Sequence, residues 1–130
     1  MTAPSGTRPG AGVVVVDSGR IRSVGASGIP PGAKAIDLGD LTLLPGLIDA
    51  HTHLTADTDR GWELRSAQET PGDRALRGAR NAGLTLRAGF TTVRDLGASD
   101  FADVALMRAI DDGWVPGPRM IPAGHAIGIT

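Results

Sequence analysis

Two of the three histidines in this chain, His51 and His53, stand one residue apart at the end of the run LLPGLIDAHTHL. In a β-strand, residues two apart point to the same face, so both imidazoles would be presented together. Neutral imidazole suits a divalent cation, with Zn–N distances of about 2.0–2.1 Å, and two neighbouring rings can share one ion. Asp49 has the same parity and would add a carboxylate to that face. Two imidazoles do not complete a catalytic zinc site, which usually takes three protein ligands and a water. A histidine pair on a surface strand can also be merely solvated. The setting favours ligation: the run before the pair is apolar, Pro45-Gly46 introduces it, and a long polar stretch follows. The chain has no cysteine, so any metal must be held by His, Asp, Glu or a modified side chain.

Other polar residues fall near the same place. Asp95 ends the stretch FTTVRD. It can hydrogen-bond a metal-bound histidine from behind, or simply turn the loop before Leu96-Gly97. His125 follows a later strand and can touch substrate or remain a solvated loop residue. Asp57 and Asp59 lie in the polar stretch after the pair and read as solvating it. Arg94, of opposite parity to Asp95, pairs with a helix carboxylate or points outward.

These residues need elements to position them. With 130 residues, 41% hydrophobic and 21% charged, the chain can build the core of one ordinary domain. Residues 1–12, rich in Gly, Pro, Ser and Thr, read as a disordered start. Residues 13–44 read as a small β-unit with strands at 13–16, 21–24, 34–38 and 41–44, the first two joined through Asp17-Ser18-Gly19. From Gly46 the order is strand, loop, helix, strand, helix, strand. The apolar strand before the histidines lacks clean alternation, as expected when both faces are covered in a parallel sheet. A long loop is expected over 55–72, a helix over 73–88 capped by Asp73, a second helix capped by Ser99, and a last strand near 119–123. Such alternation implies parallel strands, in a TIM barrel or a doubly wound sheet.

Thirteen basic residues against fourteen acidic leave a formal charge of −1 and no basic surface for nucleic acid or an anionic membrane. The first twelve residues lack the apolar core of a signal peptide. No apolar run approaches the ~20 residues of a membrane span, so the expected location is the cytoplasm.

Taken together, DLTLLPGLIDAHTHL resembles the strand-1 signature of the metal-dependent amidohydrolase superfamily. AGFTTVRDLG and GPRMIPAGHAIGIT resemble the second and third barrel strands of its imidazolonepropionase- and Xaa-Pro-dipeptidase-like branch. VVVVDSGRIRSVG resembles the small β-domain preceding that barrel. The resemblance implies an α/β fold with a partial (β/α)8 TIM barrel of about three strands and two helices over residues 45–130. A partial, β-sandwich-like domain over residues 13–44 would precede it. It implies that His51 and His53 are metal ligands at the barrel mouth, whereas relatives often carry another residue type at the place of His125. The cofactor would be a divalent metal, zinc foremost, as one or two ions. The implied reaction is hydrolysis of a C–N bond in an amide, cyclic amide or dipeptide-like small molecule, in a protein open to homo-oligomerisation. Relatives carry a Gly-Gly-His-Gly stretch, a carboxylated lysine, further histidines and a general-base aspartate, all of which would lie beyond Thr130. The expectation is therefore a fragment with no catalytic base of its own. The alternative is a non-catalytic remnant or interaction module. A complete TIM barrel needs ~250 residues.

Overall fold

The computed structural model describes residues 12–26, 28–57 and 59–128. The disordered start expected over residues 1–12 lies, Gly12 apart, outside the described residues. The chain divides into two compact units, Met1–Thr42 and Leu43–Thr130.

In the first unit, β1 (Val13–Asp17) and β2 (Arg20–Ala26) pair antiparallel as a hairpin. The valine run supplies the β-branched side chains that favour a pleated strand. The two-residue loop needs positive φ twice, and both Ser18 (φ 52°) and Gly19 (φ 73°) supply it. The strands expected at 34–38 and 41–44 do not form. Turn chemistry wins there. The Ala33 amide donates to the Pro30 carbonyl at 3.1 Å, the Gly39 amide to Asp37 Oδ1 at 2.8 Å, and the Leu41 amide to the Leu38 carbonyl at 3.2 Å. A strand also needs a neighbour, and β1 and β2 pair with each other alone among the described residues.

In the second unit, β3 (Leu47–Thr52), β4 (Phe90–Asp95) and β5 (Arg119–Pro122) form a parallel sheet in that order. Helix α2 (Pro71–Arg87) links β3 to β4, and α3 (Ala102–Asp111) links β4 to β5. Both helices pack beside the sheet around Leu54, Ala82, Val93, Leu106 and Met120. Ala82 and Gly83 keep α2 thin where it is buried, so the helix can approach closely. No helix is long and apolar enough to cross a membrane among the described residues.

Several expected boundaries shift. The loop over 55–72 contains a short helix, α1 (Trp62–Gln68), which buries no residue and so left no apolar stripe in the sequence. The first long helix, α2, starts at Pro71, not 73. Thr70 is its cap, and Asp73 returns the bond as the third helical residue. Ser99 does not cap α3. It opens a 3-10 turn, Ser99–Phe101, in which Asp100 (φ 57°) and Phe101 (φ 54°) are left-handed. β3 is also less covered than expected: Leu47 is 50% and Ile48 73% exposed, because β4 flanks it on one side and the other edge has no partner among the described residues.

Candidate metal and substrate site

The C-terminal ends of the three parallel strands converge, as the active-site residues of α/β folds do. At the end of β3 the His51 and His53 ring centres are 5.5 Å apart and edge to face. The strand is not regular up to that point. Asp49 pairs with Val93 and Thr52 with Asp95, so three steps in β3 match two in β4. The irregularity breaks the parity that would have put Asp49 beside both imidazoles. Asp49 and Thr52 are instead the half-buried positions of β3. Asp49 Oδ1 accepts the His51 backbone amide at 3.0 Å, so one oxygen of its carboxylate is held by the main chain.

His53 Nδ1 lies 3.0 Å from the Gly97 carbonyl oxygen. A carbonyl can only accept, so Nδ1 carries a proton, and in the neutral imidazole Nε2 is then the nitrogen with the free lone pair. That is the arrangement metal-ligating histidines adopt, one ring nitrogen held by a backbone carbonyl and the other free to bind. Two imidazoles on one tetrahedral ion, with nitrogens about 2.0–2.1 Å from it, place their ring centres roughly 5 Å apart. The observed spacing therefore fits a shared cation. The donor set is partial: among the described residues, no three His, Asp or Glu side chains are grouped so as to hold a metal ion.

Asp95 is fully buried. Its Oδ2 accepts the Leu54 amide at 2.8 Å and its Oδ1 the Gly97 amide at 3.2 Å. It makes no hydrogen bond to either imidazole among the described residues. Burial pushes its carboxyl above the ordinary value of 3.8, the two amides pull it back, and nearby Asp103 pushes it up further. Asp103, also fully buried, accepts the amides of Val104 and Gly124, each at 2.8 Å. Two buried carboxylates thus tie down the loops after all three strands.

A cleft of about 550 Å³ opens beside His53 and reaches His125, between α1, the start of α2 and the β4–α3 loop. His125 is exposed and stacks edge to face on Phe101, with ring centres 4.3 Å apart. The opposite wall is an ion-pair network. Arg77 binds Glu69 and meets Asp57 at 3.2 Å, while Arg74 meets Asp100 at 2.6 Å and Glu69 at 3.9 Å. The Arg77 hydrogen bond holds the Glu69 carboxyl below its ordinary value. Asp57 and Asp59 are therefore engaged rather than freely solvated, Asp59 with Arg65. Arg94 donates from Nε to the Ala50 carbonyl at 2.9 Å, neither paired to a helix carboxylate nor pointing away.

Asn81 had no place in the sequence reading. Its Nδ2 donates to the Leu54 carbonyl and to Asp57 Oδ1, both at 3.0 Å, clamping the loop after His53 onto α2. The signal was present in the spacing: Arg74, Arg77 and Asn81 fall at i, i+3 and i+7, one polar helical face.

Residues 42–129 match the family model described as Amidohydrolase family. The chain belongs to that family. Among curated amidohydrolase relatives, an allantoinase of Streptomyces avermitilis is 45% identical over 62 residues, covering 46% of this chain and 14% of its own. An imidazolonepropionase of an Arthrobacter species is 37% identical over 92 residues, covering 68% of this chain and 20% of its own. Among solved structures, a Xaa-Pro dipeptidase with bound methionine in its active site superposes with a TM-score of 0.73 at 32% identity. The match covers 88% of this amidohydrolase chain and 28% of the dipeptidase. This chain thus spans between about a seventh and a little over a quarter of the length of these relatives.

Proposed function

We propose that this chain supplies the first metal-binding strand and one wall of the substrate cleft of a metal-dependent hydrolase acting on C–N bonds. The observation that carries the reading is the histidine pair: rings 5.5 Å apart at a parallel strand end, with His53 Nδ1 held by the Gly97 carbonyl. In this reading residues 45–130 are the first part of a (β/α)8 barrel. Residues 13–44 belong to a small β-domain before it. The remaining ligands and the general base come from segments outside these 130 residues.

His51 and His53 would hold a divalent ion, zinc foremost, through neutral imidazole nitrogens. Such an ion supplies Lewis-acid polarisation of an amide carbonyl and acidifies a water to near neutrality. The chain's own residues do the rest of what is proposed. The carbonyl of Gly97 fixes which His53 nitrogen is free. The Arg77–Glu69–Arg74 network shapes a polar wall without leaving an unpaired charge. His125, backed by Phe101, offers an aromatic edge for a substrate side chain. The small amide, cyclic amide and dipeptide-like substrates suggested by the relatives' names match a cleft of about 550 Å³.

Cobalt titration followed by visible absorption tests the pair. Weak binding is expected in the wild-type chain, with loss of the signal in His51→Ala and in His53→Ala. Equal binding by the double variant would sink the reading, since only His125 would then remain among the histidines.

A further inference from the structure

We propose that Asp95 is a positioning residue for the His53 imidazole, acting through two backbone amides rather than on the ring. The inference rests on the reading of His53 as a ligand. A carboxylate that only turns a loop needs one acceptor and can stay wet. Asp95 is fully buried, and each of its oxygens is committed to a different segment. Oδ2 takes the amide of Leu54, the residue directly after His53. Oδ1 takes the amide of Gly97, the residue whose carbonyl meets His53 Nδ1. One carboxylate thus anchors the backbone beside the histidine and the acceptor that orients its ring.

Gly97 sharpens the arrangement. Its φ is +141°, and a Cβ there would lie 2.7 Å from backbone atoms of Ala126. The carbonyl can therefore occupy this place only on a residue without a side chain. Asp103 provides an internal comparison. It is equally buried, yet its oxygens go to Val104 and Gly124. Its connection toward His53 passes through the Ala98 amide on the Gly124 carbonyl and bypasses the carbonyl that meets Nδ1.

An Asn at position 95 keeps the shape but offers one acceptor and one donor, so one of the two amides loses its partner. The experiment reads nitrogen chemical shifts of the histidine rings in the metal-free chain at about pH 8.5, where ordinary imidazoles are neutral. Wild-type His53 should be protonated at Nδ1 and bare at Nε2. Asp95→Asn should mix the two tautomers at His53 and leave His51 unchanged. Asp103→Asn should lower the melting temperature without moving the His53 shifts. Cobalt affinity should fall about 10- to 100-fold in Asp95→Asn. An unchanged His53 in folded Asp95→Asn, or an equal response in Asp103→Asn, overturns the proposal. If Asp95→Asn does not fold, the wild-type spectrum can still overturn the proposal, because a His53 protonated at Nε2 is incompatible with it. Asp95→Glu, which keeps both acceptors, should then fold and retain the wild-type His53 shifts. A tautomer that follows Asp95 in a chain that binds no cobalt removes the ligand reading and leaves the positioning role standing.

Discussion

Glu69 is wedged between Arg74 and Arg77 on the cleft wall. Because its carboxyl sits below the ordinary value of 4.5, chiefly through the Arg77 hydrogen bond, its contribution has a definite sign. It is fully present above the ordinary carboxyl value and is lost as the pH falls through the lowered one. Glu69→Gln should therefore lower the melting temperature at neutral pH, and the gap to wild type should narrow as melts are recorded at increasingly acid pH. A gap that widens in acid would contradict the network. At this scale the sequence was partly legible. His51 and His53 are neighbours in the chain, so local spacing sufficed to expect their rings side by side. The partners of Asp95 and Asn81 depend on which strand ends meet, and no local pattern encodes that.

The helices show how an element's start is decided by a few polar atoms. At the head of α2, Thr70 Oγ1 accepts the Asp73 amide at 3.3 Å and Asp73 Oδ2 accepts the Thr70 amide at 2.9 Å. Pro71 in the first turn costs nothing, because its missing amide would have had no helical partner. Thr70→Ala should destabilise the fold by about 1 kcal/mol, measured by urea unfolding. Asp73→Ala in that background should cost less than it does alone, because the box is already broken. The apolar stripe of α2 was readable by period, whereas its cap was misplaced by three residues because Thr70 and Asp73 are both good capping residues. α3 was misread at its start for another reason. Asp100 and Phe101 are both left-handed; Asp tolerates that conformation but the bulky Phe101 disfavours it, so tertiary packing overrides propensity there. Phe101 packs on His125 and lies 3.1 Å from where a Gly124 Cβ would stand.

For the molecule as a whole, parallel order and alternation were legible from Gly46 onward because each helix and strand carries its own period. The strands expected at 34–38 and 41–44 failed because a strand is defined by its neighbour, which sequence does not name. Exposure follows from the same rule. Leu43 (60%), Leu44 (65%), Leu47 (50%) and Ile48 (73%) lie along or just before the edge of β3 that has no partner among the described residues. Unpaired edges beside apolar side chains recruit other chains. The 130-residue chain should show concentration-dependent association by light scattering, and Leu47→Lys with Ile48→Lys should suppress it. Scattering unaffected by the lysines would place the sticky surface elsewhere.

The extra residue in β3 between Asp49 and Thr52 has a consequence for how this strand can vary. Side chains along a strand follow a two-beat rhythm, and one inserted beat reverses the phase of everything after it. The apolar stretch Leu47–Ile48 lies before the irregularity, and the proposed ligands His51 and His53 lie within and just after it. Substitutions at Leu47 and Ile48 should therefore leave the 5.5 Å spacing of the His51 and His53 rings in place.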